Sequence, residues 1–287
     1  MSPRDILYFY RILDWKKKMS GWKNIGYTIL GYAIAGTFSF PPLFLNTLAM
    51  FFAIMFNFST NNYYDWKIQK EKNFLGEQVE RGKIKEKNAL LLCFLPLIGS
   101  FLIMGFSLRA GLIGFSSIYL FLILVLVTIF YAFPPIRLKK RKIIGFLAVS
   151  LGTCLFFLQG YFVLGKINLN LIFFAILLSI FLSYLEVLHT LEDSLIDGET
   201  KKMSKGRALK LLKILPLSSF VLASIFAFSS PIFLITAFFS VIRLVSLNDF
   251  KIEDIWRIRR NVFSFQLSFY EFFLYGSFGV FQMINLT

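Results

Sequence analysis

Two short stretches of this chain set carboxylates and carboxamides at a spacing that suits a hard cation. In the first, Asn57, Asn61, Asp65 and Gln69 recur every four residues, with Lys67 among them. Four residues turn an α-helix by about 400°, so the four side chains form one slightly drifting stripe. In the second, Asp193 and Asp197 are again four apart, flanked by His189, Glu192 and Glu199. On a helix two such acids repel one another by about a few tenths of a kcal/mol unless a cation lies between them. Oxygen ligands of this kind suit Mg²⁺, which keeps several waters and is commonly shared with substrate phosphates. The plainer alternative is a pair of helix ends whose acids balance nearby lysines. Two stripes on the same expected face of the molecule weigh against it.

The elements that hold these stripes must be membrane helices. Of 287 residues, 57% are hydrophobic and only 16% are charged, and the mean hydropathy is +0.68, which excludes an ordinary water-soluble globule. The apolar runs are long and uninterrupted, unlike the alternating strands of an outer-membrane barrel. Nine segments approach the roughly 20 apolar residues that a bilayer-crossing helix needs: 25–42, 43–64, 88–108, 110–133, 143–165, 168–190, 211–229, 231–248 and 263–285. The N-terminal arm and every second loop hold 28 of the 31 Lys and Arg residues, leaving Arg109, Lys166 and Arg243 elsewhere. The positive-inside bias therefore places the N-terminus and the loops carrying both stripes in the cytoplasm, and the C-terminus outside. This distribution also explains the net charge of +15 by topology and contact with anionic lipid, with no nucleic-acid partner.

The expected organisation is a cytoplasmic arm over residues 1–24 and a single transmembrane domain over 25–287, with cytoplasmic motif loops at 65–87 and 191–210. The arm lacks the apolar core of a signal peptide. Ile6, Leu7, Tyr10, Ile12 and Leu13 give it either a short amphipathic helix on the membrane surface or a solvated tail. Cys93 and Cys154 fall in apolar segments and read as packing residues. His189 is the only histidine, which removes metal sites needing two. Pro96 and Pro216 lie inside expected helices. Glu186 and Glu271 are intramembrane acids, candidates for function or for helix-to-helix hydrogen bonds.

The stretch from Asn61 through Asn62, Tyr63, Tyr64 and Asp65 to Trp66 resembles the first polar motif of the UbiA superfamily of intramembrane prenyltransferases. Asp193 and Asp197 resemble its second motif, and the segment Tyr131 to Lys139, with Pro134, Pro135 and Arg137, is similar to the loop after the fourth helix of many members. Asn62 and Gln69 stand where that family usually has Asp. The resemblance implies an all-α bundle of nine transmembrane helices around a central cavity, in the cell membrane with its site towards the cytoplasm. It also implies a Mg²⁺-dependent transfer of an isoprenyl group from a prenyl diphosphate to a lipophilic, expectedly aromatic, acceptor through an allylic cation. On that basis Asn61, Asp65, Asp193 and Asp197 are expected to hold Mg²⁺. Lys67, Gln69, Arg137, Lys139, Lys201 and Lys202 are expected to bind the diphosphate, and Tyr131 to position it. The fewer acids keep a second reading open, a non-catalytic protein that binds or transports isoprenoid lipid.

Overall fold

The structure, a computed structural model, describes residues 2–12, 20–35, 39–163, 169–196 and 205–247, with Leu274 and Ser277. Among these residues every regular element is helical: α1 (Pro3–Phe9), α2 (Ser20–Ile34), α3 (Phe40–Gln69), α4 (Phe74–Glu80), α5 (Glu86–Arg109), α6 (Phe115–Ala132), a 3₁₀ turn at Leu138–Lys140, α7 (Lys142–Tyr161), α8 (Leu169–Ile196), α9 (Lys205–Phe226) and α10 (Ile232–Ser246). Four of them contain segments long and apolar enough to cross a bilayer, Phe40–Gln69, Glu86–Arg109, Phe115–Ala132 and Gly206–Phe226; shorter apolar stretches follow in α7, α8 and α10. The expected ninth span, 263–285, lies outside the described residues apart from Leu274 and Ser277.

α5 shows how such a helix divides its surface. Leu91, Leu95, Ile98 and Leu102 recur at helical spacing and are all more than half exposed, the face a lipid tail would cover. The opposite face buries small residues, Ala89, Cys93, Ser100 and Ser107, so that α5 lies close against α3. Ser100 Oγ donates to the Ala49 carbonyl at 2.6 Å across that contact.

Two units divide the chain, Met1–Lys140 with Leu155–Gly165, and Arg141–Cys154 with Lys166–Thr287. In the first, α2 meets the end of α7 so closely that side chains are excluded: a Cβ on Gly160 would lie 1.8 Å from the Thr28 carbonyl oxygen, and one on Gly31 2.0 Å from that of Phe157. Nearby, Gln159 Nε2 donates to Asn46 Oδ1 at 3.1 Å. In the second, α8, α9 and α10 close on a core that includes Tyr184, Leu188, Leu212 and Leu247. Ser240 bonds Ser219 there at 3.1 Å, and the buried Arg243 guanidinium sits 4.2 Å over the Phe181 ring.

Several expected boundaries move. The second span, read as 43–64, is a 30-residue helix reaching Gln69, so the whole first stripe is helical and the loop expected at 65–87 starts only at Lys70. Lys70 ends α3 in the left-handed conformation (φ 58°), where its N–H and that of Glu71 satisfy the last carbonyls, including that of Asp65. The loop then carries α4, capped by Asn73, whose side chain accepts from the Gly76 N–H.

Over its described residues the arm is helical, with Ile6 and Leu7 exposed at 44% and 37%. Its helix α1 docks on protein, with Phe9 and Tyr10 buried and the Tyr8 ring 5.4 Å from that of Phe74. Tyr10 Oη donates to the Leu92 carbonyl at 2.9 Å. That carbonyl is the one Pro96, four residues on and lacking an N–H, cannot bond, so the tyrosine takes the place of the missing helical donor. The next helix starts at Ser20, inside the stretch read as arm.

Candidate functional site

Pro134 and Pro135 stop α6, because neither can donate the N–H that would continue it. The loop then tightens around Arg137, whose backbone is left-handed (φ 39°), whose N–H donates to the Phe133 carbonyl at 2.8 Å and whose own carbonyl accepts from the Lys140 N–H at 3.0 Å. A non-glycine residue in this region costs on the order of 1–2 kcal/mol, held in place by its surroundings. The return on that strain is the position of two cationic side chains against α3.

Both converge on Asp65. Arg137 Nη2 donates to Asp65 Oδ1 at 2.8 Å, and Lys139 Nζ lies 2.5 Å from each carboxylate oxygen. Two members of the stripe complete the shell: Asn61 Nδ2 donates to Oδ2 at 3.1 Å, and Gln69 Nε2 to Oδ1 at 2.8 Å. Lys139 also donates to Asn61 Oδ1 at 3.0 Å, and Arg137 to the Tyr64 carbonyl at 3.3 Å. The Asp65 and Arg137 side chains are 7% and 6% exposed and that of Lys139 18%, so water does little to screen this group. Burial pushes the Lys139 ammonium below its ordinary value, and the Arg137 charge adds to this, against the opposing pull of Asp65.

Among the described residues one buried carboxylate faces two cations, with the exposed Glu71 acting on Lys139 from further off. Arg137 Nε and Nη1 are also buried with no hydrogen-bond partner among the described residues. Unpaired guanidinium donors cost more than an unpaired neutral group, and each of the two can donate separately to an oxygen of an anionic ligand. Beside them Phe133 gathers the rings of Tyr64, Phe94 and Phe56 at 4.8, 5.9 and 6.2 Å.

Other expected site residues are placed differently. Lys67 stands two residues beyond Asp65, about 200° round the helix, and pairs with Glu86 at 2.6 Å and with Tyr63 Oη at 3.3 Å, so the structure does not bring it to Asp65. Tyr131 is half-buried in the last turn of α6. Asp193 falls on the last turns of α8, but its side chain, like those of Glu186 and His189, lies outside the described residues, as do Asp197, Lys201, Lys202 and Glu271.

Asn62 has a role the spacing pattern did not assign. It is buried off the stripe, where its Oδ1 accepts from Arg11 at 3.4 Å and its carbonyl from Asn73 Nδ2 at 3.0 Å, tying arm and loop to α3. Trp66, one turn on, lies against Gly76 so tightly that a Cβ there would sit 2.1 Å from the indole, and its Nε1 donates to Glu80 at 2.7 Å. The pair Asn62 and Trp66, also four apart, was the available signal.

Among the described residues no three His, Cys, Asp or Glu side chains come together as a metal site. The oxygen set at the stripe, one carboxylate with the amide oxygens of Asn61 and Gln69, fits Mg²⁺ in kind. A metal there would require Asp65 to give up part of its contact with Lys139 and Arg137.

No family model matches the chain. It is 30% identical over 178 residues, 61% of its length, to digeranylgeranylglyceryl phosphate synthase of Methanosphaera stadtmanae, and that match spans 59% of the relative. A UbiA homolog from Archaeoglobus fulgidus superposes with a TM-score of 0.74 at 17% identity, over 96% of this chain and 99% of that one. The same homolog bound to GPP and Mg²⁺ superposes with a TM-score of 0.71 at 16% identity, over 97% and 99%. The chain thus has the fold of the UbiA homologs.

Proposed function

We propose that this protein is an intramembrane prenyltransferase, which moves an isoprenyl group from a prenyl diphosphate to a lipophilic acceptor with Mg²⁺ as cofactor. It sits in the cell membrane with nine crossings, its N-terminus and site towards the cytoplasm. The observation that carries the proposal is the Arg137 guanidinium, buried with two unpaired N–H groups beside Lys139 and one shared carboxylate. A polyanionic head group answers both these two cations and the unmet donors. The A. fulgidus homolog, bound to GPP and Mg²⁺, supports the same ligand class.

In this reading Arg137 Nε and Nη1 take diphosphate oxygens, and Lys139 turns from Asp65 to the leaving group. Asn61 and Asp65 would hold Mg²⁺, with Asp193 and Asp197 holding a second ion. When bound, Mg²⁺ neutralises charge on the departing diphosphate. As the allylic carbon–oxygen bond breaks, its electron pair leaves with the diphosphate, and the fixed cations of Arg137 and Lys139 stabilise that charge. The rings of Phe133, Tyr64, Phe94 and Phe56 would face the allylic cation and exclude water. The acceptor's nucleophile then closes the new bond and releases a proton. The product named for the M. stadtmanae relative supports a prenylated glyceryl phosphate acceptor over an aromatic one.

A second reading, an isoprenoid-lipid binder without turnover, is favoured by one observation: Asp65 is already fully satisfied by protein groups. Incubation of the purified chain with labelled prenyl diphosphate, Mg²⁺ and a panel of glyceryl phosphate and aromatic acceptors separates the two. Product that disappears on chelation supports the transferase, and Mg²⁺-dependent binding with no product from any acceptor overturns it.

A further inference from the structure

A second basic feature lies apart from Asp65, where the loop after α4 enters α5. An open groove of about 830 Å³ is rimmed there by Lys83, Lys85 and Lys87 and floored by Leu91, Leu92 and Leu95. The three lysines are exposed and make no hydrogen bond or ion pair among the described residues, although acids are close at hand. Those acids are engaged elsewhere: Glu86 with Lys67, Glu80 with Trp66, Glu77 with Arg81 and Asp5 with Ser2. Lys83 stands within coulombic reach of Asp5, and Lys85 and Lys87 add two further positive charges at the same groove mouth. The floor is built oppositely, since Leu91 and Leu95 are 64% and 54% exposed on the outward, apolar face of α5.

From Lys87 to Leu95 the helix rises about 12 Å, which takes the groove from the head-group layer into the hydrocarbon. An anion at the mouth and a hydrocarbon chain along the floor are the two halves of one molecule. We infer that this groove binds an anionic phospholipid of the surrounding bilayer, its phosphate held by Lys83, Lys85 and Lys87 and one acyl chain lying along Leu91 and Leu95. The site is independent of the prenyl transfer proposed above and of the residues assigned to it.

Native mass spectrometry of the full chain, released from micelles holding equal phosphatidylglycerol and phosphatidylcholine, reads the site directly. The wild type is expected to retain phosphatidylglycerol preferentially, and the variant carrying Lys83→Gln, Lys85→Gln and Lys87→Gln to lose that preference by about fivefold per charge removed. Leu95→Glu, with all three lysines kept, is expected to lower phosphatidylglycerol retention as well, and excess inorganic phosphate to leave retention by the wild type unchanged. Equal retention of the two lipids by the wild type, an unchanged preference in the triple variant, or displacement by inorganic phosphate overturns the site.

Discussion

Two lysine–carboxylate pairs stand within one turn of each other on α3, at nearly the same distance. Lys139 meets Asp65 at 2.5 Å and Lys67 meets Glu86 at 2.6 Å. The first pair is 18% and 7% exposed and the second 50% and 46%. Distance therefore does not distinguish them, and burial does. At the exposed pair, water and salt already supply most of what the partner supplies, and such contacts contribute about 0–1 kcal/mol. At the buried pair each charge has lost its water, so every change must be met by another protein group or by a ligand.

The largest expected effect follows from removing the shared acid. Asp65→Ala strands two cations in a dry site, which should lower stability by about 3–5 kcal/mol and abolish product, checked by thermal unfolding in detergent beside the transfer assay. Arg137→Met keeps volume and leaves Asp65 paired with Lys139. It should fold, bind prenyl diphosphate weakly and lose about 10²–10³ in kcat/KM.

Lys139 carries the pH dependence. Its native value is depressed, so as pH rises the ammonium loses its proton before an ordinary lysine would, and kcat/KM for the diphosphate should fall along an alkaline limb that begins below pH 10.5. Across that window the unfolded chain binds more protons than the native one, so this group makes stability rise with pH even as activity falls. In Lys139→Arg, charged throughout, the limb should vanish from the pH–rate profile. The smallest effect belongs to the exposed pair: Glu86→Gln should change stability by less than about 1 kcal/mol and leave turnover unaltered. A Glu86→Gln loss as large as that of Asp65→Ala would remove burial as the distinguishing cause.

The same contrast explains what could be read from the sequence. Membrane helices announce themselves by hydropathy, and the stripe of Asn61, Asp65 and Gln69 by its period of four, because both signals are local. Its polarity made the end of α3 look like a loop, yet these side chains bond one another and leave the helical backbone undisturbed. Arg137 and Lys139 were expected at the site through family resemblance, since no local pattern connects positions more than 70 residues away to Asp65. Lys67 is expected at the site on the same basis, and the helical turn sets it beside Glu86. The docking of Tyr10 on the carbonyl freed by Pro96 joins two distant segments and left no periodic trace. For the second stripe, Asp193 and Asp197, the expectation stands as a proposal.

The most direct test is a structure of the full chain with Mg²⁺ and a non-reacting prenyl thiodiphosphate. The account predicts diphosphate oxygens within hydrogen-bonding distance of Arg137 Nε and Nη1, with Lys139 turned from Asp65 to the ligand. A bound diphosphate lying elsewhere, with the Lys139–Asp65 contact intact and the guanidinium still unpaired, would contradict it.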